Sequence, residues 1–339
     1  MASADPTEAL LPGVLVGHDT DGRRPTGVTV VLLPAGTTGG VAVRGAAPGT
    51  RETDLLDPVN TVDVVDAIVL SGGSAYGLDT AGGVMRWLEA QGRGVPVGPA
   101  LVPIVPAAVI FDLWVGDPTI RPDAASGARA CESAVPVSEA GEGNVGAGSG
   151  ASVGKLLGPD RAMRGGVGVA TLRAHGLTVS AVVVVNAVGD VVDPQSGEVL
   201  AGARVAADSL ELAGSVASML GTPTTGGPSG ANTTVGVVVT DAKLTKAQTT
   251  RLAQVAHDGL ARSIRPVHTS MDGDTIFAAA TGTLDPGLQG AFPPDALGIL
   301  LPMMAAEVTA SAVVRAVRAA EAIHVGDLWL PAHRDRAHG

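Results

Sequence analysis

Cysteine and aromatic residues are nearly missing from this chain. Cys131 is the single cysteine among 339 residues, which excludes an intrachain disulfide and a cysteine zinc cluster. Three Phe, three Trp and one Tyr amount to 2% of the chain. A core must therefore come from Val, Ala, Leu and Ile, packed closely with the help of 47 glycines. Basic runs are missing too, and the formal net charge is −11. That balance argues against a nucleic-acid groove, which needs clustered Lys and Arg against phosphates. The longest apolar stretch is read as residues 100–111, which contain Pro103 and Pro106 and stop at Asp112. It falls short of the roughly 18 residues of a membrane helix. Residues 1–12 show no basic segment leading into an apolar one, so no secretion signal is expected there. The expectation is a soluble, cytoplasmic protein that engages neither nucleic acid nor membrane.

What is present reads as α/β. Hydrophobic residues make up 45% of the chain, enough to bury a substantial core at this length. Short β-branched runs at 27–33, 66–70, 165–171, 177–185, 235–239 and 276–281 predict buried strands. Arg173-Ala174-His175-Gly176 predicts a hairpin between two of them. Helices are expected over 78–89, 201–220, 245–264 with Thr245 as its cap, and 302–323. Residues 221–231, rich in Gly, Pro and Thr, predict a loop. Strands so interleaved with helices fit a layered sheet-and-helix architecture.

That loop runs into Asn232-Thr233-Thr234 and the apolar strand after it. A threonine hydroxyl is a poor nucleophile without an adjacent base. If the peptide before Thr233 were cut, its new α-amine, titrating near 8, could be that base. The bland alternative is that two β-branched residues simply open a strand. Gly146 to Lys155 imitates a phosphate loop but has Ser149 and Leu156 where the pattern needs Gly and Ser or Thr. Lys155 remains as a lone charge in an uncharged run, suited to proton carriage if buried. Asp272-Gly273-Asp274 offers two carboxylates for proton work, a cation site with His268, or simply an acidic turn. Asn186 ends a run of four valines, where its amide could serve an oxyanion or merely start a turn. Tyr76, the only tyrosine, lies between a strand and a helix as a ligand contact or a packed ring.

Taken together, these segments resemble the self-cleaving L-aminopeptidase/D-esterase family, which includes β-peptidyl aminopeptidases and nylon-oligomer (6-aminohexanoate-oligomer) endohydrolases. The resemblance rests on GVLVGH at 13–18, TGVTV at 26–30, RGAAPGTRETD at 44–54, LSGGSAYGL at 70–78, EGNVGAG at 142–148 and NTT at 232–234. It implies a four-layer αββα sandwich like that of the N-terminal-nucleophile hydrolases, formed by residues 1–339 as one domain. It further implies cleavage between Asn232 and Thr233 into fragments 1–232 and 233–339. By the same resemblance Thr233 matches the nucleophile, with Thr234 ranked behind it, Asn186 the oxyanion residue and Tyr76 a pocket residue. Lys155, Asp272 and Asp274 match the nylon-oligomer branch, whereas residues 44–54 look more like the aminopeptidases. The implied function is hydrolysis of a small amide, peptide or oligoamide, without metal or organic cofactor, by a homo-oligomer of αβ units. Two other readings stay open: a metal-dependent hydrolase at His268, Asp272 and Asp274, and an uncut, non-catalytic binding or scaffold protein.

Overall fold

Strands buried on both faces form the centre of the molecule, seen in a computed structural model that describes residues 10–221, 232–284 and 294–338. The principal strands are β1 Leu15–Thr20, β2 Gly27–Leu32, β3 Thr38–Val43, β4 Ala67–Ser71 and β5 Ala107–Val109. They continue as β6 Gly166–Ala174, β7 Leu177–Asn186, β8 Thr233–Ala242 and β9 Thr275–Leu284. The helices are α1 Thr80–Ala90, α2 Ala124–Glu132, α3 Ser215–Gly221, α4 Lys246–Ser263 and α5 Pro294–Ala319.

One sheet runs Thr50–Arg51, β5, β4, β2, β1, Val135–Pro136, and the other runs β6, β7, β8, β9, β3. Alternate residues of each strand point to opposite faces, and both faces are covered. Val182 and Val184 of β7 join Val235 and Val237 of β8 in a layer between the sheets, with Val31, Ile68 and Leu70 opposite. Val183 and Val185 face the other way, onto Leu252 and Leu260 of α4 and Met304 and Val308 of α5. On the far side Val28, Val30 and Val69 pack under Val84 and Leu88 of α1. The order of layers is helix, sheet, sheet, helix, the expected αββα sandwich. This double coverage explains why β7 and β8 read as unbroken apolar runs.

The β6–β7 hairpin turns at His175 and Gly176, both with positive φ, as a two-residue turn matched to strand twist requires. Thr245 caps α4, its hydroxyl accepting the Gln248 N–H. Three expectations need correction. Residues 201–220 are not one helix: Val199–Ala201 is a strand, and the helix is confined to Ser215–Gly221. The cause is tertiary. Buried Arg204 donates to the carbonyls of Ala207, Ser209, Asp160 and Trp329, while Asp190 accepts from Ala203 and Ser215. The last helix begins at Pro294 rather than 302 and ends at Ala319, because Ile323–Val325 pairs with Leu328–Leu330. Its segment Ala296–Ala319, with mean hydropathy 1.8, is long and apolar enough to cross a bilayer, so residues 100–111 are not the longest such stretch. More than half of that segment is buried inside the molecule, as in a core helix. Of the loop expected at 221–231, residues 222–231 lie outside the described ones.

Gly259 shows how closely the outer layer packs. A Cβ there would meet the Ala306 carbonyl and lie 2.7 Å from Thr309 Cβ on α5. Gly→Ala inside a helix ordinarily gains about 1 kcal/mol. Here we expect Gly259→Ala to lose about 1–3 kcal/mol through overpacking, measured as a lower thermal midpoint.

Candidate functional site

Register and alternation bring the first pair of candidates together. β7 and β8 are antiparallel, with Val185 opposite Thr234 and Asn186 opposite Thr233. Since Val235, Val237 and Val239 face the space between the sheets, the period of two turns Thr233 the same way and Thr234 toward the helices. Asn186, opposite Thr233, shares its face. Thr233 is buried, and its hydroxyl donates to the carbonyl oxygen of Asn232. The Gly273 N–H donates to that same oxygen at 2.9 Å. One carbonyl therefore holds a potential nucleophile and a polarising backbone donor.

Parallel pairing of β8 with β9 supplies that donor. Val235 lies opposite Thr275, and the ladder reaches back to a bridge between Asn232 and Asp272. Residues 44–47 fix the turn from outside: Arg44 and Gly45 donate N–H groups to the Asp274 carbonyl, and Ala47 donates to that of Asp272. Inside, Asp274 Oδ1 accepts the Thr234 N–H at 2.6 Å. Its Oδ2 accepts from His268 twice, from the backbone N–H at 3.1 Å and from Nδ1 at 2.8 Å. Asp272 Oδ2 accepts the Thr269 N–H at 2.8 Å and the Thr269 hydroxyl at 2.6 Å. Burial, and then the neighbouring Asp274, push the Asp272 carboxyl up to about 6, against the Thr269 hydrogen bonds and Lys155.

Lys155 enters on a left-handed turn at Gly154, φ +70°, where a Cβ would strike the backbone of Gly202. Its side chain is fully buried. Nζ donates to the Ser152 carbonyl at 2.9 Å, and to Asn186 O and Oδ1, each at 2.8 Å. Burial holds this amine well below the ordinary lysine range, although Asp272, Asp112 and Asp274 pull the other way. The same Asn186 Oδ1 accepts the Ser152 N–H, and Nδ2 donates to the Phe111 carbonyl at 3.1 Å. In the continuous chain, then, the amide donor of Asn186 is engaged by a backbone carbonyl.

Tyr76 stands apart. It lies in the turn Ser74–Asp79, 60% exposed, with the Arg121 guanidinium 3.6 Å above its ring. That loop is tied down by Asp112, which accepts from Gly73 N–H and the Thr26 hydroxyl and pairs with buried Arg24 at 2.7 Å. No described contact joins Tyr76 to Thr233. The proposed cation trio does not gather either. Asp272 turns to Thr269 while His268 holds Asp274, and among the described residues no group of three His, Cys, Asp or Glu side chains could hold a metal. Two features were missed from sequence. The Gly273 backbone donor has no side chain to announce it, and His268 drew notice only as a cation ligand, not as the partner of Asp274.

The raised Asp272 carboxyl carries a pH signature. A group protonated more readily folded than unfolded stabilises below its unfolded value, near 4, and that contribution is lost as pH rises through about 6. We expect the thermal midpoint of Asp272→Asn to fall less than that of the natural chain between pH 4 and 6. Asn can keep its Oδ1 where the Thr269 donors need it. Parallel melting curves at stepped pH test this.

Known proteins align over most of this chain. An uncharacterized aminopeptidase of Mycobacterium leprae is 47% identical, covering 92% of this chain and 90% of its own length. A 6-aminohexanoate-oligomer endohydrolase of a Kocuria species is 35% identical over 81% of this chain and 74% of its own. Among solved structures, the L-aminopeptidase D-Ala-esterase/amidase of Ochrobactrum anthropi superposes with a TM-score of 0.72 at 21% identity, covering 96% of this chain and 91% of that one. It is described as a variant of the Ntn hydrolase fold, and the likeness extends to the fold of this chain. With residues 11–327 matched by the model of peptidase family S58, the chain belongs to that family.

Proposed function

We propose that this hydrolase of peptide or amide bonds activates itself by cutting the Asn232–Thr233 peptide and then uses Thr233 as its nucleophile. The observation that carries the reading is the Asn232 carbonyl, held at once by the Thr233 hydroxyl and the Gly273 N–H. In the precursor, the hydroxyl oxygen bonds to the Asn232 carbonyl carbon. The C–N bond then breaks, with the hydroxyl proton passing to the departing nitrogen. Water hydrolyses the resulting ester, leaving a carboxylate on Asn232 and a free amine on Thr233. In the mature enzyme that amine takes the hydroxyl proton as Thr233 attacks a substrate carbonyl, and passes it to the substrate nitrogen as the C–N bond breaks and the amine leaves. Water then cleaves the ester, releasing the acyl group as a carboxylic acid and restoring the hydroxyl.

Alternation supports Thr233 over Thr234, whose side chain lies on the helix-facing side of β8. The buried cluster of Lys155, Asn186, Asp272 and Asp274 supports the rest of the machinery. Its charges sit beside the nucleophile, out of water, where fixed dipoles act strongly. For Asn186 to stabilise an oxyanion, its Nδ2 must leave the Phe111 carbonyl once the chain is cut. The relatives named aminopeptidase and oligomer endohydrolase support peptides and oligoamides as substrates.

Thr233→Ala should run as one 33.5 kDa chain on a denaturing gel and hydrolyse nothing. Thr234→Ala should yield fragments 1–232 and 233–339 and remain active. Cutting in the first variant, shown by intact mass, would remove Thr233 from its role. Gly273→Ala places a Cβ 2.9 Å from Thr233 Oγ1 and 2.7 Å from the Ala47 carbonyl, forcing the turn away from Asn232. Its self-cleavage should slow on the order of a hundredfold, the usual cost of losing one oxyanion donor. A time course of fragment appearance measures it.

A further inference from the structure

We propose that His268 is a positioning residue of this hydrolase: it fixes the Asp274 carboxylate so that the free oxygen anchors the first residues of the nucleophile strand. The inference rests on Thr233 as nucleophile and adds a residue outside that machinery.

Asp274 has two oxygens and three donors. Among the described residues Oδ2 is occupied by His268 alone, through N–H at 3.1 Å and Nδ1 at 2.8 Å. That leaves Oδ1 for the Thr234 N–H at 2.6 Å, one peptide beyond Thr233. The carboxylate cannot swing without breaking bonds on both sides. The contact assigns a proton to Nδ1 of His268, the tautomer set by its partner.

His268 is held in place at some expense. It is one of four non-glycine residues with positive φ among the described residues, at +57°, a conformation that apart from Gly is taken mainly by Asn, Asp and His and is uncommon even for them. Its ring meets His257 of α4 edge-on, with centroids 4.8 Å apart, and His257 is itself anchored by Nε2 on the Ala42 carbonyl of β3. Nε2 of His268 and Nδ1 of His257 are both buried without a partner among the described residues. An unpaired buried polar atom costs stability, and a side chain chosen only to fill space would not need one. A left-handed backbone and unpaired nitrogens at one point, next to the reacting strand, mark a residue kept for the geometry it imposes.

Two substitutions separate the hydrogen bond from the strain. Asn tolerates the left-handed backbone and can present an amide N–H to Asp274 in place of Nδ1. Gly tolerates the backbone but brings no side-chain donor. We expect His268→Gly to lower kcat 10- to 100-fold in processed enzyme, with KM within about twofold, since a misplacement near 1 Å costs about that much. His268→Asn should recover at least tenfold of that loss. Activity is normalised to the amount of fragment 233–339, so that poor processing is not read as poor catalysis. A His268→Gly enzyme with the natural kcat overturns the proposal, as does a His268→Asn enzyme no better than His268→Gly. Thr233→Ala is assayed alongside: if it still cuts itself and turns over, the underlying nucleophile assignment fails independently of either result at 268.

Discussion

The antiparallel ladder between β7 and β8 is the constraint on which the site depends. It runs from Val179 opposite Thr240 to Asn186 opposite Thr233, and every residue of both strands is buried. A slip of one residue would exchange the two faces of a strand. Val235, Val237 and Val239 would leave the layer between the sheets and meet α4 and α5, and Thr233 would turn away from Asn186. With both faces packed by side chains of fixed size, that slip is prohibitive. The apolar core thus does more than stabilise. It sets which of two adjacent threonines lies beside the lysine-bound asparagine.

Around that fixed point the polar groups are organised by backbone rather than by one another. Among the described residues Lys155 meets two carbonyls and an amide oxygen but no carboxylate within hydrogen-bond range. Asp272 leans on Thr269, and Asp274 on His268 and Thr234. Burying such groups is costly unless they are paired, and the pairing is met mostly by N–H and C=O groups of turns. Residues 44–47 then clamp the 272–274 turn from outside. This division buries the polar groups beside β8 while holding each at a set angle.

Arg24 and Asp112 play the same part for the neighbouring loops. Both side chains are wholly buried, and Asp112 also receives Gly73 and Thr26. The adjacent Phe111 carbonyl takes the Asn186 amide. The helix-covered first sheet is therefore coupled to the asparagine of the second through one short turn.

The strands at 27–33, 177–185 and 235–239 were legible because continuous β-branched runs have few other uses, and the hairpin at 173–176 because its turn needs positive φ twice. Asn232-Thr233, Lys155, Asn186 and the aspartate pair were legible as residues of the right chemistry in one family pattern. Residues 201–220 misled, since their helical pattern is overridden by Arg204 reaching for distant carbonyls. Sequence by itself determined the layered class, the buried strands and the residue types available for an amide-hydrolysing site. Only the tertiary structure decided that Gly273 donates to the Asn232 carbonyl, that His268 holds Asp274 and that the Asn186 amide is engaged by Phe111. The Gly273–Asn232 and Asn186–Phe111 partners are some forty residues apart or more and meet through backbone atoms common to every residue, whereas His268 and Asp274, six apart, meet only because the turn between them folds back. Local pattern carries no record of such contacts, because they exist only once two sheets have packed face to face.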